Sequence, residues 1–155
     1  MSYNALDIAK YVVKYGNEME YSISNLKLQK ILYFIQAVFL VEKNDKKGCF
    51  IDKIEAWDFG PVVPSVYHYF KQYGNRTIPL NKEKENSCVC GFNSYNITDE
   101  DKELINQMVD ACEDFSAVQL VEATHSQLPW KTAYKKGMNC EITKESIFNY
   151  FKGAN

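Results

Sequence analysis

The chain has 155 residues, 46% of them hydrophobic, 14% aromatic and 25% charged, with a formal net charge of -2. That balance fits one globular domain with a sizeable core and excludes a disordered tail. Seventeen of the 18 basic residues are Lys and Arg76 is the only Arg, a poor supply for bidentate reading of phosphates or bases, so nucleic acid is disfavoured as a partner.

In chain order, Ala5 to Tyr15 reads as a first helix, with Leu6, Ala9 and Val13 on one face, Asn4 or Ser2 as cap and Gly16 as stop. Asn25 to Lys43 carries Leu28, Ile31, Leu32, Ile35, Val38 and Phe39 at the spacing of an apolar helical stripe. Leu26, Phe34 and Val41 widen it, so this helix should be central, with neighbours on more than one side. Ser24 or Asn25 caps it. Cys49 to Phe59 reads as an extended segment ending at a Gly60-Pro61 turn. Pro64 opens a third helix running to about Tyr73, with Val66, Tyr69, Phe70 and Tyr73 on one face. Arg76 to Tyr95 reads as two short strands around a variable polar loop. Thr98 caps the next helix, with Leu104, Ile105, Met108, Val109 and Cys112 inward. Ser116 and Gln119 form a capping box for a short helix, Ser126 to Lys136 holds another, and Thr143 caps the last. The fold class expected is mainly α (α+β), a single domain around a long central helix with a small extended or hairpin part.

The N-terminus lacks the pattern of a signal peptide. The longest apolar stretch, Ile31 to Val41, is about half a membrane span and is broken by Tyr33 and Gln36. Five cysteines, an odd number, with no export signal, read as reduced thiols in a cytoplasmic protein. Cys88 and Cys90 stand too close for a usual zinc knuckle and have no second pair, so no metal site is expected. Neither His68 nor His125 belongs to a metal-ligand motif. A solvated or hydrogen-bonded helix residue is the favoured reading of His68, and a helix-end partner for carbonyls that of His125. The carboxylate pairs Asp99/Asp101 and Glu113/Asp114 fit caps and solvation, and no phosphate loop or nucleophile elbow occurs. No catalytic residue and no cofactor is expected.

Aromatic and polar residues set together stand out instead. Trp57, Phe59 and Tyr67 flank Gly60-Pro61, and Trp130 follows Pro129. Trp and Tyr give stiff contact area with a polar handle, which suits cores and interfaces alike. Gln29 and Gln36 lie two helical turns apart on nearly one side. If buried, their amides need partners, most naturally the backbone of Trp57 to Val62.

The runs Leu26 to Phe34 with Gln36, Ile54 to Pro64 with Val66-Tyr67, and Ser116 to Val121 leading to Thr124-His125 and Pro129-Trp130 match the signatures of a known family in order and spacing. The chain resembles the Panacea domain family, the SocA-like and GepA-like phage-associated antitoxins, from about Ala5 to Phe151. Gln29, Gln36, Trp57, Gly60, Pro61, Val62, Pro64, Thr124, His125, Pro129 and Trp130 are the matching architectural positions. The central helix departs mildly, with Ala37, Val38 and Phe39 where the family usually has Gly and an aromatic pair. The resemblance implies a protein from a prophage or mobile element that binds and neutralises a toxin encoded by the adjacent gene. Some relatives present the toxin to a protease. The family brings no established catalytic residues. Tyr33, Phe39, Tyr67, His68, Tyr69 and Tyr73 are the candidates for a partner-facing surface, and a homodimer is the commonest assembly to expect. The alternatives are a DNA-binding or transcription-regulating module, and a small enzyme or ligand-binding protein with a pocket around His125.

Overall fold

A computed structural model describes residues 2–80 and 96–153. Asn4 starts helix α1 (Ala5–Glu18), its side chain accepting the Leu6 N–H at 2.8 Å. Gly16 does not stop this helix. It is buried inside it, and a Cβ there would stand 2.6 Å from Ile23 Cδ1. Its smallness lets the following segment fold back.

Ser24 caps α2 (Asn25–Glu42), accepting from Lys27 N–H. Every residue from Lys27 to Tyr33 is buried. Helices α1, α3, α4, α5 and α7 and strand β2 all pack on α2, the central role its wide apolar stripe predicts. The extended segment after it is shorter than expected: β1 covers only Ile54–Trp57. The turn sits at Asp58-Phe59, and Gly60-Pro61 lies inside a second strand, β2 (Gly60–Val62), antiparallel to β1 with Ala56 opposite Pro61. Pro61 is tolerated because β2 is an edge strand, where a missing donor breaks no inner ladder.

Pro64 sits in the first turn of α3 (Pro64–Phe70), and a 3-10 turn continues to Tyr73. Ile78 N–H then donates to Ile23 O at 2.9 Å. The rest of the expected 76–95 hairpin, with Cys88 and Cys90, lies outside the described residues. Thr98 caps α4 (Asp99–Glu113). A complete Ser116–Gln119 capping box opens α5 (Ala117–His125). Helix α6 is Leu128–Ala133, so Lys135 and Lys136 fall beyond its end. Strand β3 (Cys140–Ile142), which the sequence reading does not anticipate, pairs antiparallel with β1 and gives the order β2-β1-β3. Three residues carry too little alternation to announce a strand; a distant partner makes one. Helix α7 (Lys144–Gly153) follows, with Ser146 N–H on Thr143 Oγ1. The fold is thus mainly α with one small antiparallel sheet. No helix among the described residues is long and apolar enough to cross a membrane.

One polar network ties the chain's start to α4. Asp101 is 6% exposed, accepts the Tyr3 hydroxyl at 2.5 Å and pairs with Lys43. Burial pushes its pKa up, but the Lys43 and Tyr3 hydrogen bonds outweigh that and hold it below the ordinary carboxylate value. The stability it confers is therefore present above the unfolded carboxylate pKa and lost as pH falls through the lower folded one. Asp101→Asn should lower the unfolding free energy by about 2 kcal/mol at pH 7 and flatten the acid limb of a urea-stability profile. An unchanged acid limb would assign that limb to other groups.

Candidate functional site

Asn25, Lys27, Gln29, Lys30 and Gln36 of α2 are buried, and each holds the backbone of a later segment. Asn25 Nδ2 donates to Tyr67 O at 3.1 Å. Gln29 Nε2 donates to Asn25 Oδ1, and its Oε1 accepts Val63 N–H at 2.9 Å. Val63 precedes α3 and has no side-chain cap of its own, so Gln29 fixes where α3 begins. Lys30 Nζ donates to Pro61 O at 3.1 Å. Gln36 serves a different segment from the one expected. Its Oε1 accepts Cys49 N–H at 2.7 Å and Phe50 N–H at 3.2 Å, and its Nε2 donates to Phe50 O at 3.0 Å. The two turns between Gln29 and Gln36 carry the second amide past the hairpin to this earlier loop.

Gly60 is where α2, β2 and α5 converge. Its φ is +103°, and a Cβ there would stand 2.7 Å from Lys30 Cε and 2.8 Å from Thr124 Oγ1. Thr124 is buried and its hydroxyl donates to Val121 O. The neighbouring His125 stacks on Trp130 at 4.0 Å, and Trp130 stacks on Tyr134 at 4.4 Å. Trp130 Nε1 donates to Trp57 O at 2.8 Å, and Tyr134 donates to Asp58 Oδ1 at 2.6 Å. The stack on α5 and α6 therefore grips the hairpin turn from one side while α2 grips it from the other. Val62 and Pro129 are buried beside these contacts and Pro64 starts α3. Of the architectural positions, only Gln36 stands apart.

Two groups in this seam are short of partners. His125 Nε2 is buried without a hydrogen bond. Lys30 has no exposed surface and no ion pair among the described residues, and burial lowers its pKa to about 7. No catalytic or binding motif marks Lys30 in the sequence. Its signal was the apolar covering all round α2, which leaves a lysine in mid-helix nowhere to reach solvent.

The six candidate partner-facing residues divide. Tyr33 is fully buried, bonded to Gln127 Oε1 and edge-on to Phe34 and Phe151, and Phe39 is 3% exposed. Both belong to the core, because α2 has neighbours all round and keeps no outer aromatic face. His68 and Tyr69 are exposed, and Tyr67 and Tyr73 half-buried. Trp57, itself half-buried, meets Tyr67 edge-on at 5.1 Å and lies 6.1 Å from His68. Phe59 at the hairpin turn is 66% exposed. Trp57, Tyr67 and His68 thus form one aromatic cluster where the hairpin meets α3. Among the described residues no group of three or more His, Cys, Asp or Glu is placed to hold a metal ion.

This arrangement, a hairpin and a short helix pinned by buried polar side chains to a central helix, defines a mainly α domain with one small antiparallel sheet. The chain belongs to the antitoxin SocA-like, Panacea domain family, whose model matches residues 28–131. It is similar to the Antitoxin SocA of Caulobacter vibrioides (strain NA1000 / CB15N), with 33% identity over 135 residues covering 83% of this chain and 69% of the relative. No solved structure matches it.

Proposed function

We propose that this chain is an antitoxin that neutralises a cognate protein toxin by direct contact, acting in the cytoplasm and without catalysis. The 33% identity with a named antitoxin over 83% of the chain carries this reading. The cluster of exposed His68 with half-buried Trp57 and Tyr67, with exposed Phe59 on the hairpin turn two residues after Trp57, supports it as the place of contact. Such residues supply most of the energy of interfaces that bury about 1,600 Å² in total. The toxin is the product of the adjacent gene, and covering its working surface is the mode of action.

The test is co-expression with that gene product, scored by growth rescue, co-purification and titration calorimetry. Wild type should rescue growth and bind. A Phe59→Ala, Tyr67→Ala, His68→Ala triple variant with unchanged circular dichroism should bind at least about a hundredfold more weakly. Absence of both rescue and binding by wild type overturns the reading. Rescue that needs a host protease would replace cover with delivery to that protease. A salt-dependent shift of upstream DNA without toxin binding would favour a regulatory module.

A further inference from the structure

Lys30 sits where three elements close on one another, between the Pro61 carbonyl of β2, Gly60 and the Thr124 side of α5. A charged ammonium has three N–H groups to satisfy, and among the described residues this one has a single oxygen, 3.1 Å away. A neutral amine asks for less, and the fully enclosed seat suits the neutral form. The ionisable surroundings are sparse. β2 offers Gly60, Pro61 and Val62, none of which titrates, and on the rest of the hairpin Glu55 accepts from Trp57 Nε1 and Asp58 from the Tyr134 hydroxyl. On α2, Lys27 and Tyr33 lie a turn to either side and are engaged with Glu113 and Gln127. On α5, the residue after Thr124 is His125, with its unpartnered Nε2, and Trp130 of α6 covers that ring.

We propose that Lys30 is a proton-linked latch: its neutral amine keeps the β1–β2 hairpin and α5 closed on α2, and its protonation favours a state in which the hairpin lifts and the ammonium reaches water. The closed seat binds the proton only below about pH 7, whereas a solvated lysine binds it below 10.5. Between these values the opened state holds a proton that the closed one lacks, so each lower pH unit favours opening about tenfold. Below pH 7 both states hold it and the dependence levels off. Because Trp57 rides on the hairpin, the latch would also set how well the aromatic cluster is formed; that consequence alone rests on the toxin-binding reading.

Native-state hydrogen exchange of the isolated chain tests the latch without any toxin, with rates corrected for intrinsic chemistry. From pH 8.5 to pH 7, opening at Glu55 to Val62 and Leu120 to Thr124 should rise about fifteenfold, and from pH 7 to pH 6 less than about twofold. Lys30→Met should abolish the rise, and His125→Gln should leave it intact. Protection that does not vary with pH, a rise that survives Lys30→Met, or a rise that follows His125 overturns the proposal. Should Lys30→Met not fold, NMR of wild type carrying lysine labelled at Cε decides. One lysine titrating near neutrality supports the latch, and none titrating below about pH 9 overturns it.

Discussion

Gly60→Ala should lower the unfolding free energy by about 3–4 kcal/mol, with a matching fall in the urea midpoint at unchanged slope. Two costs meet at this residue. Its φ of +103° lies in a region where L side chains are strained, worth about 1–2 kcal/mol. The added methyl would also stand 2.7 Å from Lys30 Cε and 2.8 Å from Thr124 Oγ1. Lys30 has no free direction to retreat, since it is enclosed on all sides, and Thr124 is held by its bond to Val121 O. Relief must come from parting β2 from α2 or α5, the overpacking penalty of about 1–3 kcal/mol. Gly137→Ala is the control. Its φ is +78° but nothing lies within 4 Å of its Cβ position, so it meets only the backbone cost, about 1 kcal/mol. Gly16→Ala separates the terms from the other side. Gly16 lies inside α1 with no positive φ, and its Cβ would meet the buried Ile23 side chain at 2.6 Å, so it reports crowding without the backbone cost. If Gly60→Ala costs no more than Gly137→Ala, the convergence at Gly60 is looser than the 2.7 and 2.8 Å approaches require. The same variant should weaken partner binding, because Trp57 and Tyr67 take their positions from the strand and cap that Gly60 and Val63 fix.

The parts of this fold legible in the sequence are those governed by neighbours in the chain. Ser24, Thr98 and Ser116 announce helix starts because a cap needs only the next three residues. The breadth of the apolar pattern on α2 announces a central helix with neighbours on more than one side. Tyr33 and Phe39, read as partner-facing because aromatic residues suit an interface as well as a core, are buried, and the same breadth is what leaves Lys30 without solvent. What could not be read depends on which distant segment arrives. Gln36 needs a backbone partner by its chemistry, yet nothing local says that the partner is Phe50 and not the hairpin. β3 exists because β1 has a free edge to offer. Gly16 looks like a stop until Ile23 is seen folded against it. The candidate site shares this mixture: Trp57, Gly60, Pro61, Thr124, His125 and Trp130 are noticeable as residues, while their convergence on Lys30 is a tertiary fact.

Gln36→Leu should cost about 3–5 kcal/mol, although leucine fits a buried helix position and has good helix propensity. Cys49 and Phe50 have no exposed surface, and the amide of Gln36 serves three of their backbone groups, two N–H and one C=O. Leucine leaves all three without that partner, at about 1–3 kcal/mol each, and gains part of this back by burying apolar area. The loss should spread to the chain's start, because Tyr3 N–H bonds to Cys49 O, Ile51 N–H to Tyr3 O, and Asp52 accepts the first N–H of α1. Exchange of the Tyr3 and Ala5 amides should therefore quicken more than that of α4. Gln36→Glu isolates the hydrogen-bond requirement from shape. As a carboxylate it still accepts both N–H groups but cannot donate to Phe50 O, and its charge is buried, which raises its folded pKa above the unfolded value. Stability then rises as pH falls through that folded pKa toward the unfolded one, since the native state takes up a proton that the unfolded chain does not yet hold, and the neutral acid restores the missing donor. Gln36→Glu should accordingly be closer to wild type at pH 5 than at pH 8 in urea unfolding, while Gln36→Leu shows the same deficit at both. Equal deficits for Gln36→Glu at the two pH values would mean that the Phe50 carbonyl finds its donor elsewhere and that the amide matters here for its shape alone.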